Sequence, residues 1–398
     1  MTNTSDKKIL VSGASIAGLT LAYWLHHAGF DVTVVERSHE VRSGGYPIDI
    51  RGTAMDVIER MGLAATLKAA HIDTKKITFI GGDGKAVGSI RPEYVTGGRE
   101  GLDIEVPRGT LTAALYGLTR DKLTFMFSDS IQSLSDGAAG VDVGFRSGAE
   151  GRYDLVLAAD GMHSNTRALV FGPEEKFHHY LGYYFAGFEV PNDIGLRQEG
   201  LTYNVPGRMA TLYAAGGSDR LHALLALARP EMPSKTVMEN VDLQRASMAK
   251  AFRDDGWQVP NMLVHMARAD DFYFDLISQI RMPNWTSGRV AVVGDAAHAP
   301  SFLSGQGTST ALVSAYVLAH EIAHGTNPDK PFGDYEGIAR TFIEKNQGTA
   351  IGGGAAMIPG TRKQLWLRNR MIGFAPVLGK LGLLGGSARK IHSSLELP

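Results

Sequence analysis

Short apolar runs broken by glycine, alternating with stretches of helical period, dominate the first part of the chain. Ile9-Leu10-Val11 is a continuous apolar run, as a parallel strand needs when both its faces are covered. It stops at Gly13. Leu19, Tyr23, Leu25 and Ala28 then follow a helical pattern up to Gly29, and Val32-Thr33-Val34-Val35 is a second buried strand ending on Glu36. That order predicts a βαβ unit. A loop is expected over 37–52, a helix over 53–61 closed by Gly62, and another over 105–118 opened by Pro107. Residues 76–90 alternate about a G-G-D-G-K turn and read as a hairpin. Strands are expected at 123–127, 141–145 and 153–161. Aromatic and β-branched runs over 181–230 predict an inserted antiparallel sheet that shares the hairpin. Residues 235–254 read as helix, 257–275 as mixed, and F-Y-F-D-L-I-S-Q-I returns towards the first domain. Residues 288–295 form its last strand, feeding a long helix that ends near His324.

The first unit carries chemistry. In G-A-S-I-A-G, Gly13 permits the tight turn and Gly18 lets the helix lie close to the strand. The helix N-terminus offers free N–H groups to a pyrophosphate. Glu36, 23 residues beyond Gly13 (36 − 13), stands where an acid bonds a ribose 2′-hydroxyl and favours FAD or NAD over NADP. The middle glycine is replaced by Ser15, and a βαβ unit without nucleotide is the alternative. Arg108, a cation in the first turn of its helix, opposes the dipole, so it has an anionic partner or is a solvated surface residue. Asp160, ending a strand, is a turn residue or a cofactor neighbour. At G-D-A-A-H, Asp295 brings a carboxylate and a helix N-terminus together at a strand's carboxyl end.

Composition mainly excludes. A net charge of −1 gives no basic surface for nucleic acid, and the absence of Cys removes disulfides, thiolate metal sites and cysteine nucleophiles. The apolar stretch 371–385 contains Pro376 and Lys380 and is too short to span a bilayer. His320-Glu321-Ile322-Ala323-His324 spells H-E-x-x-H with Glu344 beyond it; its place at a helix end capped by Gly325 outweighs a metal site. Gly352-Gly353-Gly354 lacks a flanking strand and reads as a hinge. The amphipathic segment 362–384 packs on its own protein or lies on a membrane, the first being the commoner outcome.

In order along the chain stand G-A-S-I-A-G with Glu36, Arg108 in R-G-T-L, D-L-V-L-A-A-D-G-M-H-S-N-T-R, and G-D-A-A-H with G-Q-G. Together they resemble the single-component FAD-dependent aromatic hydroxylases, which share the fold of para-hydroxybenzoate hydroxylase. R-S-G-G-Y-P-I-D-I-R-G and D-F-Y-F-D-L-I-S-Q-I are most similar to the tetracycline-inactivating flavin monooxygenases. The resemblance implies an α/β fold: a Rossmann-like FAD-binding domain of the GR2 type (1–75, 101–180, 276–350) with an inserted antiparallel-sheet substrate domain (76–100, 181–275). A C-terminal helical segment, 351–398, would close the substrate cavity.

It further implies that Gly13, Ser15 and Gly18 turn over the FAD pyrophosphate, that Glu36 holds the adenosine ribose, and that Ala17 and Arg37 also bind the cofactor. Arg108 and Asp295 would reach the phosphate or ribityl region, and Gly305, Gln306 and Gly307 would lie by the isoalloxazine. Asp49 and Arg51 would sit in a loop that approaches the flavin, and Asp160, with Gly161 and Arg167, would support the crevice. NAD(P)H would reduce FAD, O2 would be captured as a flavin C4a-hydroperoxide, and a polycyclic phenolic or enolic substrate such as a tetracycline would take one oxygen atom. No catalytic residue or metal ligand is assigned. The alternatives are a polyketide or natural-product tailoring hydroxylase or epoxidase, and a ligand-sequestering flavoprotein without turnover. The expected protein is a cytoplasmic monomer or homodimer with no nucleic-acid partner and no stable membrane insertion. Departures from the family pattern fall at Ser301, Phe302, Ser309 and Ser314.

Overall fold

The βαβ unit forms as β1 (Lys8–Ser12), α1 (Ile16–His27) and β2 (Asp31–Glu36), the two strands parallel. A computed structural model describes residues 7–42, 44, 46–99, 101–215, 219–325, 327, 330–380 and 385–398. Parts of the expected loop (residues 43 and 45), of the turn after residue 215 and of the segment 362–384 (residues 381–384) lie outside these. The expected loop after Glu36 contains a short strand, β3 (Pro47–Ile50), before α2 (Thr53–Arg60) and α3 (Ala64–Ala69). The hairpin is β4 (Lys76–Ile80) and β5 (Ala86–Ile90), followed by α4 (Pro92–Thr96).

The helix expected over 105–118 starts later. Ile104-Glu105-Val106-Pro107 alternates buried and half-buried, which is strand period, and forms β6 (Ile104–Pro107) antiparallel to β3. Pro107 caps α5 (Arg108–Thr119) instead of lying within it. Next come β7 (Thr124–Phe127), and a small antiparallel sheet of β8 (Ile131–Gly137), β9 (Gly140–Phe145) and β10 (Glu150–Tyr153). The run 153–161 therefore divides. Asp154 accepts from the Lys8 amide at 2.7 Å and separates β10 from β11 (Leu155–Ala158), which pairs with β1. After it comes α6 (Asn165–Phe171).

The inserted sheet is built from β12 (His178–Pro191), β13 (Glu199–Val205), β14 (Arg208–Tyr213) and β15 (Arg220–Ala228). Helices α7 (Lys235–Met238), α8 (Val241–Phe252) and α9 (Val259–Met266) follow, then β16 (Tyr273–Ile280). Expected to return to the first domain, β16 is instead hydrogen-bonded to β12 as the edge of a seven-stranded sheet, β16-β12-β15-β14-β13-β4-β5. That sheet is antiparallel except where β13 runs parallel to β4. Side chains alternate across it. Tyr184, Ala186 and Phe188 pack on Met248, Phe252 and Met262 from α8 and α9, whereas Phe185, Met209 and Ile277 face the other way, towards Phe302 and Ile358.

The chain then closes the first domain with β17 (Thr286–Ser287), β18 (Val290–Val292), α10 (Asp295–His298) and α11 (Gly307–His324). The six-stranded sheet reads β17-β18-β11-β1-β2-β7, parallel except at β17. Last come α12 (Tyr335–Met357), α13 (Arg362–Lys380) and α14 (Gly386–His392). Gly352, Gly353 and Gly354 lie inside α12 and form no hinge. A Cβ on Gly354 would stand 2.6 Å from the Tyr183 ring, so glycine lets the helix cross β12 closely.

Trp285 is buried between β16 and β17, its ring 4.8 Å from His298 and 5.4 Å from Tyr335, with the Arg340 guanidinium 4.4 Å above it. Trp285→Ala should cost about 3–5 kcal/mol in chemical unfolding. A loss below about 1 kcal/mol would mean that the surroundings collapse into the space.

Candidate cofactor and substrate site

Two glycines set the approach of α1 to the parallel sheet. At Gly13 (φ +106°) a Cβ would lie 2.5 Å from the Ala159 carbonyl oxygen, and at Gly18 it would collide with the Gly13 carbonyl oxygen. The helix N-terminus therefore rests over the carboxyl ends of β1 and β11. It has no capping side chain and no acid in its first turn, so its N–H groups and positive dipole end stay open. Glu36 accepts from the Ala14 amide at 2.8 Å and the Ser38 amide at 2.9 Å, fastening the turn to the end of β2 and leaving lone pairs for a further donor. Ser15, in the place of the middle glycine, has extended backbone that needs no glycine. Its hydroxyl accepts from the Arg108 guanidinium at 2.7 Å, which brings that cation from α5 over the turn. Arg37 is exposed.

The G-D motif reaches the same place by close packing. A Cβ on Gly294 (φ +64°) would lie 2.7 Å from the Ala17 Cβ, and Asp295 follows directly. The Asp295 carboxylate keeps accessible surface although protein encloses it, so it borders an internal hollow. Burial pushes it up to about 6 against the pull of Arg108, with Asp275 adding to the rise. Asp49 pairs with Arg51 at 2.5 Å and lies beside Gly305, and the Arg51 amide donates to Ser309 Oγ at 3.2 Å. The Ser309 departure thus anchors the loop that ends β3. Gly305 is left-handed at φ +62°, and Gly307 begins α11, a second helix with no capping side chain and no acid in its first turn. Gln306 is fully buried, and neither atom of its amide has a partner among the described residues.

Asp160 serves its own turn. It accepts from the Thr166 amide at 3.0 Å, the Thr166 hydroxyl at 2.8 Å and the Ser164 hydroxyl, and these bonds shape the start of α6. Arg167, fully buried, donates to the carbonyls of Ala296 (2.9 Å) and Met162 (2.7 Å) and pairs with Glu174 at 2.8 Å, locking α6 to α10. Two open helix N-termini, Arg108 beside the first and a hollow edged by Asp295 fit a dinucleotide with a pyrophosphate. The H-E-x-x-H segment has other work: Glu321 accepts from the Asp334 amide at 2.8 Å, and the His320 and His324 rings stack at 4.1 Å.

Facing the cofactor loops is an aromatic wall that the sequence reasoning did not single out. Phe302 stacks on Phe185 of β12 at 5.0 Å and meets Tyr46 edge-on at 5.9 Å, and Phe185 lies 5.8 Å from Tyr273. Tyr46 and Tyr273 are 46% and 47% exposed, yet burial raises the pKa of both phenols. Both face the hollow. Ser301 holds φ +85°, a strained value for a non-glycine residue, and this turns Phe302 into the wall. The Tyr273 hydroxyl donates to Asp275, and Asp275 faces His163, whose other nitrogen meets Glu174. The two-residue spacing of Tyr273 and Asp275 on one strand face was the available signal. Across the domain boundary, Glu105 accepts from the Tyr213 hydroxyl at 2.5 Å on one carboxylate oxygen and from the Thr74 hydroxyl at 2.8 Å on the other. Burial, with Asp49 adding, raises Glu105 to about 7.

Residues 6–346 match the FAD binding domain family. The chain is 41% identical over 343 residues to an uncharacterized protein of Mycobacterium tuberculosis, covering 86% of this chain and 92% of that one. It is 35% identical over 350 residues to a flavin-dependent monooxygenase of Legionella longbeachae (85% and 87% covered). The crystal structure of the tetracycline destructase Tet(55) is similar over 99% of both chains, with TM-score 0.84 and 32% identity. Klebsiella pneumoniae HpxO, solved with FAD and uric acid, shares the fold at TM-score 0.77 and 21% identity, with 98% of each chain covered.

His163 supplies a pH test of this geometry. Asp275 Oδ1 lies 3.5 Å from its Nε2 and Glu174 Oε1 2.9 Å from its Nδ1, and the two carboxylates push the imidazole up to about 10. A histidine held above its free value of 6.5 contributes its full stability below that pH and loses it as pH rises through the folded value. The Tm difference between the protein and His163→Gln should be constant from about pH 5 to about pH 6.5 and shrink towards pH 10. A difference independent of pH would contradict the pairing.

Proposed function

Since the chain belongs to the FAD binding domain family and is an FAD-dependent monooxygenase, we propose that it inserts one oxygen atom of O2 into a polycyclic phenolic or enolic compound such as a tetracycline. NAD(P)H is the reductant in this reading. The observation that carries it is the aromatic wall of Tyr46, Phe302, Phe185 and Tyr273, set between the cofactor loops and the inner face of the seven-stranded sheet. Flat fused rings suit such a wall, and a domain interface is where a substrate of that size is enclosed. Similarity to the Tet(55) structure over nearly the whole of both chains supports the same substrate class.

FAD, when bound, supplies the redox chemistry and the activation of oxygen. The chain's own residues bind, orient and shield. The open N-terminus of α1 and Arg108 would take the negative charge of the pyrophosphate, and Glu36 would accept from the ribose. Asp295 would accept from the cofactor's hydroxyl groups, and the open N-terminus of α11 would favour negative charge beside Gly305 and Gln306. Phe302 and Phe185 exclude water and hold a ring system flat. The Tyr273 hydroxyl, fixed by Asp275, presents a polar group to the substrate's oxygens.

The test is aerobic NAD(P)H oxidation with a panel of tetracyclines and anthraquinones, followed by mass spectrometry. A product heavier by one oxygen from a tetracycline supports the reading. Oxygenation of anthraquinones alone points to a natural-product tailoring enzyme, and tight binding without turnover points to sequestration. Asp295→Ala should lower flavin retention about tenfold, read from the visible absorbance of the purified protein. Phe302→Ala should keep flavin and raise KM about tenfold, with kcat per bound flavin changed less than about threefold. A KM unmoved by that change would remove the wall from substrate binding.

A further inference from the structure

Helix α13 has two unlike faces. Inward, Ile372 and Ala375 are buried against Ile77, Phe79 and Ile90 of the β4–β5 hairpin. Arg368 lies 4.6 Å over the Phe79 ring and donates to Asn204 Oδ1 at 3.0 Å. Outward, Trp366, Leu367, Met371 and Phe374 are 58%, 55%, 63% and 61% exposed. At helical spacing they fall within an arc of about 140°. Lys363 and Arg370 lie inside that arc, both exposed, and Arg362 lies beside it.

The charge on this helix has one sign. From Arg362 to Lys380 the sequence holds Arg362, Lys363, Arg368, Arg370 and Lys380 and no Asp or Glu, in a chain whose net charge is −1. Among the described residues Arg362, Lys363 and Arg370 make no ion pair, and the Arg370 guanidinium stands 5.0 Å over the Trp366 ring. A shallow groove of about 380 Å³ runs along the stripe to Val87 of the edge strand β5.

We propose that this face of α13 docks on the surface of an anionic lipid bilayer. Tryptophan, phenylalanine, methionine and leucine side chains on one arc enter the boundary between headgroups and acyl chains. Lys363 and Arg370, set among them, extend along the surface to lipid phosphates. A second copy of the chain suits the face poorly, because a twofold partner brings the same unpaired cations against one another. Spanning is not involved: no helix among the described residues is long and apolar enough to cross a membrane. The docking does not depend on which substrate the hollow takes.

Flotation of the flavin-loaded protein with vesicles tests this. Vesicles of phosphatidylcholine with a quarter phosphatidylglycerol should bind it at least about tenfold more strongly than phosphatidylcholine alone, and binding should weaken with salt. The pair Lys363→Glu and Arg370→Glu should abolish the preference. Met371→Ser with Phe374→Ser should reduce binding about tenfold, with flavin absorbance and Tm unchanged as the control for folding. No flotation with anionic vesicles, or equal binding to both compositions, would overturn the proposal. So would concentration-dependent dimerisation, lost in the Met371/Phe374 variant, without lipid binding.

Discussion

Backbone oxygens leave no room for a methyl group at Gly13 and Gly18, and the position of everything around the hollow follows from that crowding. With side chains there, α1 would stand off from the sheet and its N-terminus would miss the crevice. With glycine, the helix settles, Ala17 meets Gly294, and Asp295 arrives beside a turn that Glu36 fastens from below and Arg108 covers from the side. Parts remote in sequence are thus brought together by shape before any charge interaction acts. Ser15 belongs to this arrangement: the substitution that weakens the glycine pattern supplies the acceptor for Arg108.

The second constraint is the alternation of the seven-stranded sheet. Phe185 turns to the hollow because Tyr184 and Ala186, its neighbours on β12, are committed to the core under α8 and α9. The strained turn at Ser301 then brings Phe302 against it. One wall of the candidate substrate site is therefore shared by two domains, and the contacts of Glu105 with Tyr213 and Thr74 hold the domains in register.

Legibility in the sequence tracked the range of the forces involved. The βαβ unit, the hairpin and the inserted sheet were readable, because apolar runs and period-two alternation are local signals. The strand β6 was misread because Pro107 is a helix-start signal and its pairing partner β3 is hidden in a glycine-rich loop. The boundary expected after residue 275 cuts through β16, since adjacency in sequence does not reveal that the strand's partner is β12 along its length. Glycines 352–354 looked like a hinge because the groups that crowd two of them, the Leu303 carbonyl at Gly353 and the Tyr183 ring at Gly354, are distant in sequence. Glu36, Asp295 and Arg108 were picked out as site candidates through motif spacing. Tyr46, Phe185, Phe302 and His163 were not, for their roles depend on contacts between segments with no common motif.

Neither large sheet can be completed from a contiguous piece of chain. The strand β4 needs β13, more than a hundred residues later, and β11 needs β18 before its outer edge is covered. On a ribosome, the two layers therefore lack strands until residues near 280 and 292, respectively, have emerged. The nascent polypeptide spends most of its synthesis without a finished core in either half, so chaperone occupancy and translation speed bear directly on how much of it reaches the native state.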